Sequence, residues 1–152
     1  MSSPTAVPTG DPHESAPLEG AADPAIGRAF LAAYASHNWD ALRTLVRADV
    51  TWDLPGVGPI SGRADGVDAV IARVRKIVDG GTKTEFLHLL TGTSGIALSL
   101  HNTGHRPDGR VLDEYLMTLL RVEDGAITAI ETYLSDVAMM QTYFEEANSA
   151  TG

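Results

Sequence analysis

From Asp49 to Val78 the chain reads DVTWDLPGVGPISGRADGVDAVIARVRKIV, and that succession leaves few ways to fold. Val50 to Leu54 is a short β-type run with one carboxylate, Asp53, near its end. Pro55-Gly56-Val57-Gly58-Pro59-Ile60 then permits only a tight turn and a return, because proline withholds a backbone donor and glycine weakens any regular element. A helix must follow at once. Asp65 is its expected N-cap, Asp68 lies in its first turn, and Val67, Val70, Ile71, Val74, Ile77 and Val78 recur at helical spacing before Gly80-Gly81 ends it. A single acid therefore sits where a strand meets a turn, beneath a helix with one apolar face.

Upstream, Met1 to Ala22 is rich in Pro, Ser, Thr and Ala, and carries Asp11, Glu14 and Glu19 without Lys or Arg. It reads as a disordered tail with an idle His13, a second short tail is expected over residues 147–152, and the folded domain over 23–146. Asp23-Pro24 supplies an N-cap and a proline at the first helical position, after which Ile26, Phe30, Ala33, Tyr34 and His37 fall at helical spacing. Asn38 or Trp39 breaks that helix, and a short second one with Leu42, Leu45 and Val46 inward leads to the Asp53 strand. Beyond the central helix four strands are expected, Thr82 to Thr91, Ile96 to His105, Arg110 to Val122 and Ala126 to Leu134. Ser135-Asp136 then caps a closing helix with Val137, Met140 and Phe144 on one side. This order describes an α+β fold, a curved, mainly antiparallel sheet wrapped around the N-terminal helices and enclosing a cone-shaped cavity.

The 152 residues fit one domain, and 43% hydrophobic content suffices for its core. Without cysteine there is no disulfide framework, thiolate metal site or thiol nucleophile. A formal charge of -9 with only 11 Lys and Arg provides no basic surface for nucleic acid or an anionic membrane. The sequence shows neither a bilayer-spanning apolar run nor a signal peptide, so a cytoplasmic protein is expected. His88, His101, His105 and Asp113 could suggest a metal, but their spacing matches no ligand pattern, and neither metal nor other cofactor is expected.

A three-residue loop at Pro107-Asp108-Gly109 places Arg106 opposite Arg110. It sets Asn102 with Glu114, Leu100 with Leu116, Leu98 with Thr118 and Ile96 with Leu120 on one leucine-rich, core-facing side. The other side then carries His101 beside Tyr115, Ser99 beside Met117 and Thr103 beside Asp113. A loop of two or four residues shifts every pair by one and sets His101 opposite Glu114. In the first register His101, Tyr115, Met117 and Leu119 form a half-apolar outer face, through which a homodimer is expected.

Trp52, Pro55 and Gly56 at the strand end, with Gly66, Asp68, Ala69 and Val70 at the helix start, resemble the W-x-x-P-G and G-x-D-A-V patterns of the SnoaL-like branch of the nuclear transport factor 2-like superfamily. Leu112 to Tyr115, Arg121 to Ile127 and Thr132 to Asp136 resemble that family's last two strands and closing helix, so the likeness spans roughly residues 24 to 146. It implies a cone-shaped α+β barrel, a homodimer, and the cavity in which ketosteroid isomerases, limonene epoxide hydrolases and SnoaL-type polyketide cyclases work. By this resemblance Asp53 aligns with the isomerases' general-base aspartate and with the hydrolases' water-holding asparagine, whose N-x-P pattern matches Asp53-Leu54-Pro55. Thr118 falls where isomerases and cyclases carry an inward acid, which turns Glu114, four residues back, the same way. Phe30 and Thr118 stand in place of the isomerases' Tyr and protonated acid. Thr132 stands in place of the hydrolases' last-strand aspartate, and residues near Leu100 and Asn102 replace their Arg and Asp pair. Neither mechanism therefore transfers unchanged.

The expected chemistry is cofactor-independent acid–base catalysis on a hydrophobic, polyketide- or terpenoid-like small molecule, by cyclisation, isomerisation or epoxide opening. Asp53 is the expected base and Glu114, kept protonated by its leucine neighbours, the acid. His101 is a third candidate through the shifted register. Phe30, Tyr34, Trp52, Phe86, His88, Leu100, Asn102, Leu116, Thr118 and Thr132 are the expected substrate contacts. Beside these stand simpler roles: Asp53 as a turn-capping carboxylate, Glu114 at a wet strand edge, His88 and His101 as structural histidines. A non-catalytic ligand-binding or assembly module is the rival reading. Carboxyls converging on a pocket favour the enzyme, and a collapsed, leucine-filled cavity favours the module.

Overall fold

The computed structural model describes residues 18–145, so His13, most of the expected N-terminal tail and residues 146–152 lie outside it. Helix α1 (Pro24–Ala35) starts where the Asp23 carboxylate accepts the Ala25 N–H at 3.0 Å and Pro24 fixes the first φ. It ends before His37, which has φ of 56° and stacks on Trp39 instead of joining the helical face. Helix α2 (Trp39–Leu45) is capped by Asn38, which accepts the Ala41 N–H. Strand β1 (Val46–Leu54) begins earlier than its β-type run and takes Val46 out of α2, because Val46 pairs with Ile127, a partner distant in sequence. The return after the turn is β2 (Gly62–Asp65). Helix α3 (Val67–Asp79) follows, but Asp65 does not cap it: Asp65 is still paired with Thr51, and Gly66 at φ of 90° makes the corner while its N–H donates to Val50. Only glycine takes that φ without strain.

Strands β3 (Lys83–Thr91), β4 (Gly95–His105), β5 (Val111–Glu123) and β6 (Ala126–Leu134) and helix α4 (Val137–Phe144), capped by Asp136, complete an α+β fold. The sheet order is β2-β1-β6-β5-β4-β3, antiparallel throughout except for the parallel β1–β6 pair. Burial alternates along the strands: Val50, Trp52 and Leu54 on β1, Ile96, Leu98, Leu100 and Asn102 on β4, and Leu112, Glu114, Thr118 and Leu120 on β5 face the helices. Helix α1 lies so close to this face that a Cβ on Gly27 would sit 2.9 Å from Ile96. Helix α3 packs over β1 and β2, and α4 over β5. Among the described residues no helix is long and apolar enough to cross a membrane.

The β4–β5 hairpin adopts the three-residue loop. Arg106 N–H donates to the Arg110 carbonyl at 2.8 Å, and Asn102 pairs with Glu114, Leu100 with Leu116 and His101 with Tyr115. That register rules out the shifted alternative and fixes which side chains share the inner face. On β3 a bulge between Phe86 and His88 breaks the alternation.

Candidate functional site

Helices α1 and α3 and the inner sheet face enclose a cavity of about 60 Å³. Phe30, Leu31 and Tyr34 of α1, Val74 and Ile77 of α3, and Trp52, Thr84, Leu100, Asn102, Leu116, Thr118 and Ile130 of the sheet line it. Thr132 stands behind this wall, where its hydroxyl accepts the Trp52 indole N–H at 3.0 Å and lies 3.0 Å from the Thr118 hydroxyl. A second polar chain runs from Tyr34 to Thr84 at 3.3 Å and from Thr84 to the Asn102 Oδ1 at 2.6 Å. Phe86 and His88 are not among the lining residues. The β3 bulge pairs His88 with outward-facing Ser99 and leaves it exposed, while Phe86, on an edge strand, is 49% exposed.

Glu114 is placed inward by the period of two along β5, opposite Asn102 and two residues from the cavity-lining Leu116. It is 2% exposed, and its Oε1 has no hydrogen-bond partner. Burial, and secondarily the negative charge of Asp136, raises its pKa from 4.5 to about 7. Helix α4 closes over this end of the strand, where the Asp113 N–H reaches the Met139 sulfur at 3.3 Å.

Asp53 does not join Glu114. Trp52 points into the core and successive strand residues point to opposite faces, so Asp53 lies on the outer face. There it forms a two-pronged pair with Arg63 at 2.9 and 2.8 Å, and that guanidinium lowers its pKa. With 43% of its side chain exposed, Asp53 is a solvated, ionised carboxylate. His101 is likewise outward: its Nε2 lies 2.6 Å from Asp113, its Nδ1 3.5 Å from Glu85, and its ring stacks on Tyr115 at 4.3 Å. The Asp113 carboxylate raises the His101 pKa, with Glu85 adding to it. Among the described residues no group of three or more His, Asp or Glu side chains is placed to hold a metal.

Two residues of the site escaped the sequence. Arg73, on the apolar face of α3, is 9% exposed; it donates to the carbonyls of Trp52 at 2.9 Å and Ser61 at 3.2 Å and lies 5.1 Å from the Trp52 ring centroid. Burial lowers its pKa, opposed by Asp53, and it pins the indole that floors the cavity. A charged residue in phase with Val70, Val74 and Ile77 was the available signal. Thr84, the middle of the Tyr34–Thr84–Asn102 chain, had none, since its role depends on a partner strand and a helix. The whole is an apolar chamber with Asn102 and hydroxyls on one side, and Glu114, outside its lining, pairs across the sheet with Asn102.

Residues 27–130 match the profile of a family described as a SnoaL-like domain. No curated protein matches the chain. Among solved structures, Bal32a from a soil-derived mobile gene cassette superposes with a TM-score of 0.73 at 22% identity, over 80% of this chain and 95% of its own. A Kribbella flavida protein bearing the name of a ketosteroid isomerase gives 0.61 at 20% identity, over 74% and 76%. TerC, co-crystallised with polyporic acid, gives 0.66 at 16% identity, over 80% and 98%. At these identities the likeness is one of fold.

Proposed function

The chain belongs to the SnoaL-like family, and from that premise we propose that it takes a small, uncharged, largely apolar molecule into the cavity between α1, α3 and the sheet and moves a proton on it with Glu114. The observation that carries this reading is the burial of Glu114 beside Asn102 with Oε1 unpaired. A carboxyl with a pKa of about 7 is present in both protonation states at neutral pH, which is what a general acid–base group needs. The ionised form can take a proton from the ligand and return it to another atom, so one residue suffices for an isomerisation or a ring closure. Epoxide opening, which needs one group on water and another on the leaving oxygen, suits this site less well with Asp53 on the opposite face. The fold includes isomerases and cyclases, and the names of two structural neighbours, one a ketosteroid isomerase and one holding polyporic acid, support a small organic substrate.

A non-catalytic ligand-binding module is the second reading, and the cavity favours it: about 60 Å³ is well below the roughly 300 Å³ at which ordinary ligand pockets begin. A screen of uncharged apolar compounds, read by NMR shifts at Leu100, Leu116 and Trp52, separates the two. With a turned-over ligand in hand, Glu114→Gln should lower turnover by roughly 100-fold with binding little changed, and Asp53→Asn should leave turnover alone. Binding without turnover leaves the module; ligands that shift only outer-face residues defeat both readings.

A further inference from the structure

We infer that α4 is a movable cover over Glu114, shut while the carboxyl holds its proton and released when the carboxyl ionises. This control of access goes beyond the proton transfer proposed above and does not depend on it. The reason lies where β6 stops. Its last pair with β5 on this side is Leu134 with Leu116, so β5 from Tyr115 back to Val111 has no strand along that edge. Ser135 and α4 take the strand's place. Ser135 N–H donates to the Tyr115 carbonyl and Ser135 Oγ accepts the Tyr115 N–H, each at 2.9 Å, while the Met139 sulfur accepts the Asp113 N–H at 3.3 Å. Glu114 lies between those two attachments. It is thereby enclosed at 2% exposure, outside the cavity lining and with Oε1 unpaired.

On the helix side of the sheet α1 carries Tyr34, α3 carries Arg73, and α4 carries Tyr143 with Asp136 at its cap, while β4 and β6 offer the uncharged Asn102 and Thr132. Of the charged groups only Asp136 acts on Glu114, and it is an anion. Arg106 and Arg110 of the hairpin are engaged with carbonyls at the far end of α4. An ionised Glu114 is therefore a buried charge without a cation, which water relieves and enclosure does not. The wall that yields is the one held least. Strands β4 and β5 are joined by an unbroken ladder from Gly95–Arg121 to His105–Val111. Helix α4 has eight residues, too few to persist without tertiary support. Its supports are the packing of Met140, Tyr143 and Phe144, the two arginines, and Gln141 Oε1, which accepts the Val57 N–H at 2.6 Å. None of those bonds titrates near neutral pH. Ser135, bonded to β5 in both directions, is the pivot, and Glu114 exchanges its proton with water when the helix swings from it.

Amide exchange of the full chain, read residue by residue by NMR and corrected for the intrinsic rate, tests this without a ligand. The Glu114 pKa is about 7 in the closed form and 4.5 in the free one, so the closed form is favoured at low pH and loses ground as pH rises. Opening of α4 should increase roughly 100-fold between about pH 5 and about pH 8. The native chain should lose that protection from Met140 to Phe144, while the β4–β5 ladder stays at least about tenfold better protected and low urea leaves the α4 rates unchanged. Glu114→Gln should remove the pH dependence; the outer-face pair of His101 and Asp113 is common to both chains, so the difference belongs to Glu114. Arg110→Ala should raise opening at both pH values and keep the pH response, which covers the case in which Glu114→Gln does not fold. Protection in α4 that does not change with pH in the native chain, or changes equally in Glu114→Gln, overturns the cover. So does a loss shared equally by α4 and the ladder, because Glu114 then acts on the whole fold. None of these outcomes bears on the proton-transfer reading, whose own test is turnover.

Discussion

Glu114 ties the stability of the fold to pH in the sense opposite to an ion-paired carboxylate. Its pKa is 4.5 when unfolded and about 7 when folded, so between those values folding takes up a proton. The residue's contribution is complete below 4.5, shrinks as pH rises, and is lost above about 7. The full span corresponds to roughly 3 kcal/mol. Glu114→Gln should therefore match the native chain near the lower value and exceed it by up to roughly 3 kcal/mol above the upper one, measured by urea unfolding at both pH values. Equal pH dependence in the two chains would show that Glu114 is ionised and hydrated in the fold. His101, raised by Asp113, also loses its contribution as pH rises, but it is present in both chains and cancels. The inward position of Glu114 could be read from alternation and hairpin length, both properties of the local chain. Asp53 was assigned from a motif that says nothing about facing, although strand periodicity already forbade Trp52 and Asp53 from sharing a side. Arg73 and Thr84 acquire their roles only from partners on other elements, where a single sequence carries no signal.

At the scale of elements, the β4–β5 hairpin holds α4 by its C-terminal end. Arg106 donates to the Tyr143 carbonyl at 3.0 Å, and Arg110 to those of Thr142 at 2.8 Å, Tyr143 at 3.2 Å and Glu145 at 2.9 Å. These are carbonyls that a helix end leaves without internal partners, at the pole that attracts cations. Arg110→Ala should fray α4 at a cost on the order of 1 kcal/mol and speed amide exchange in α4 and around Glu114, with β1 and β2 unaffected. Exchange that stays slow throughout α4 would show that packing of Met140, Tyr143 and Phe144 alone secures the helix. The sequence offered this hairpin's three-residue register beside a shifted alternative, so the feature was legible only in part. The bulge in β3 and the early start of β1 were not legible, since each depends on a neighbouring strand.

At the scale of the molecule, the outer sheet face exposes Leu90 at 50%, Tyr115 at 56% and Tyr133 at 54%, with Met117 paired to Tyr133 between them. We propose that a second copy covers this face, since an apolar surface of this kind on a stable domain usually has a partner and a two-fold axis lets the same patch meet itself. Sedimentation should show a dimer at micromolar concentration and a monomer for the pair Tyr115→Lys and Leu119→Arg; a monomeric native chain would end the proposal. The strand order has a consequence in time as well as in space. Strand β1 meets the large antiparallel part of the sheet only through β6, the last strand made, and does so in parallel. During synthesis α1 can dock on β3 and β4 once they form, but the small β1–β2 pair has no further strand to join until Leu134 has left the ribosome. Closure of the sheet is therefore a late event that joins β1 and β2 to the rest, and a nascent chain stalled short of β6 leaves the edges of β1 and β5 open to whatever binds unfinished proteins.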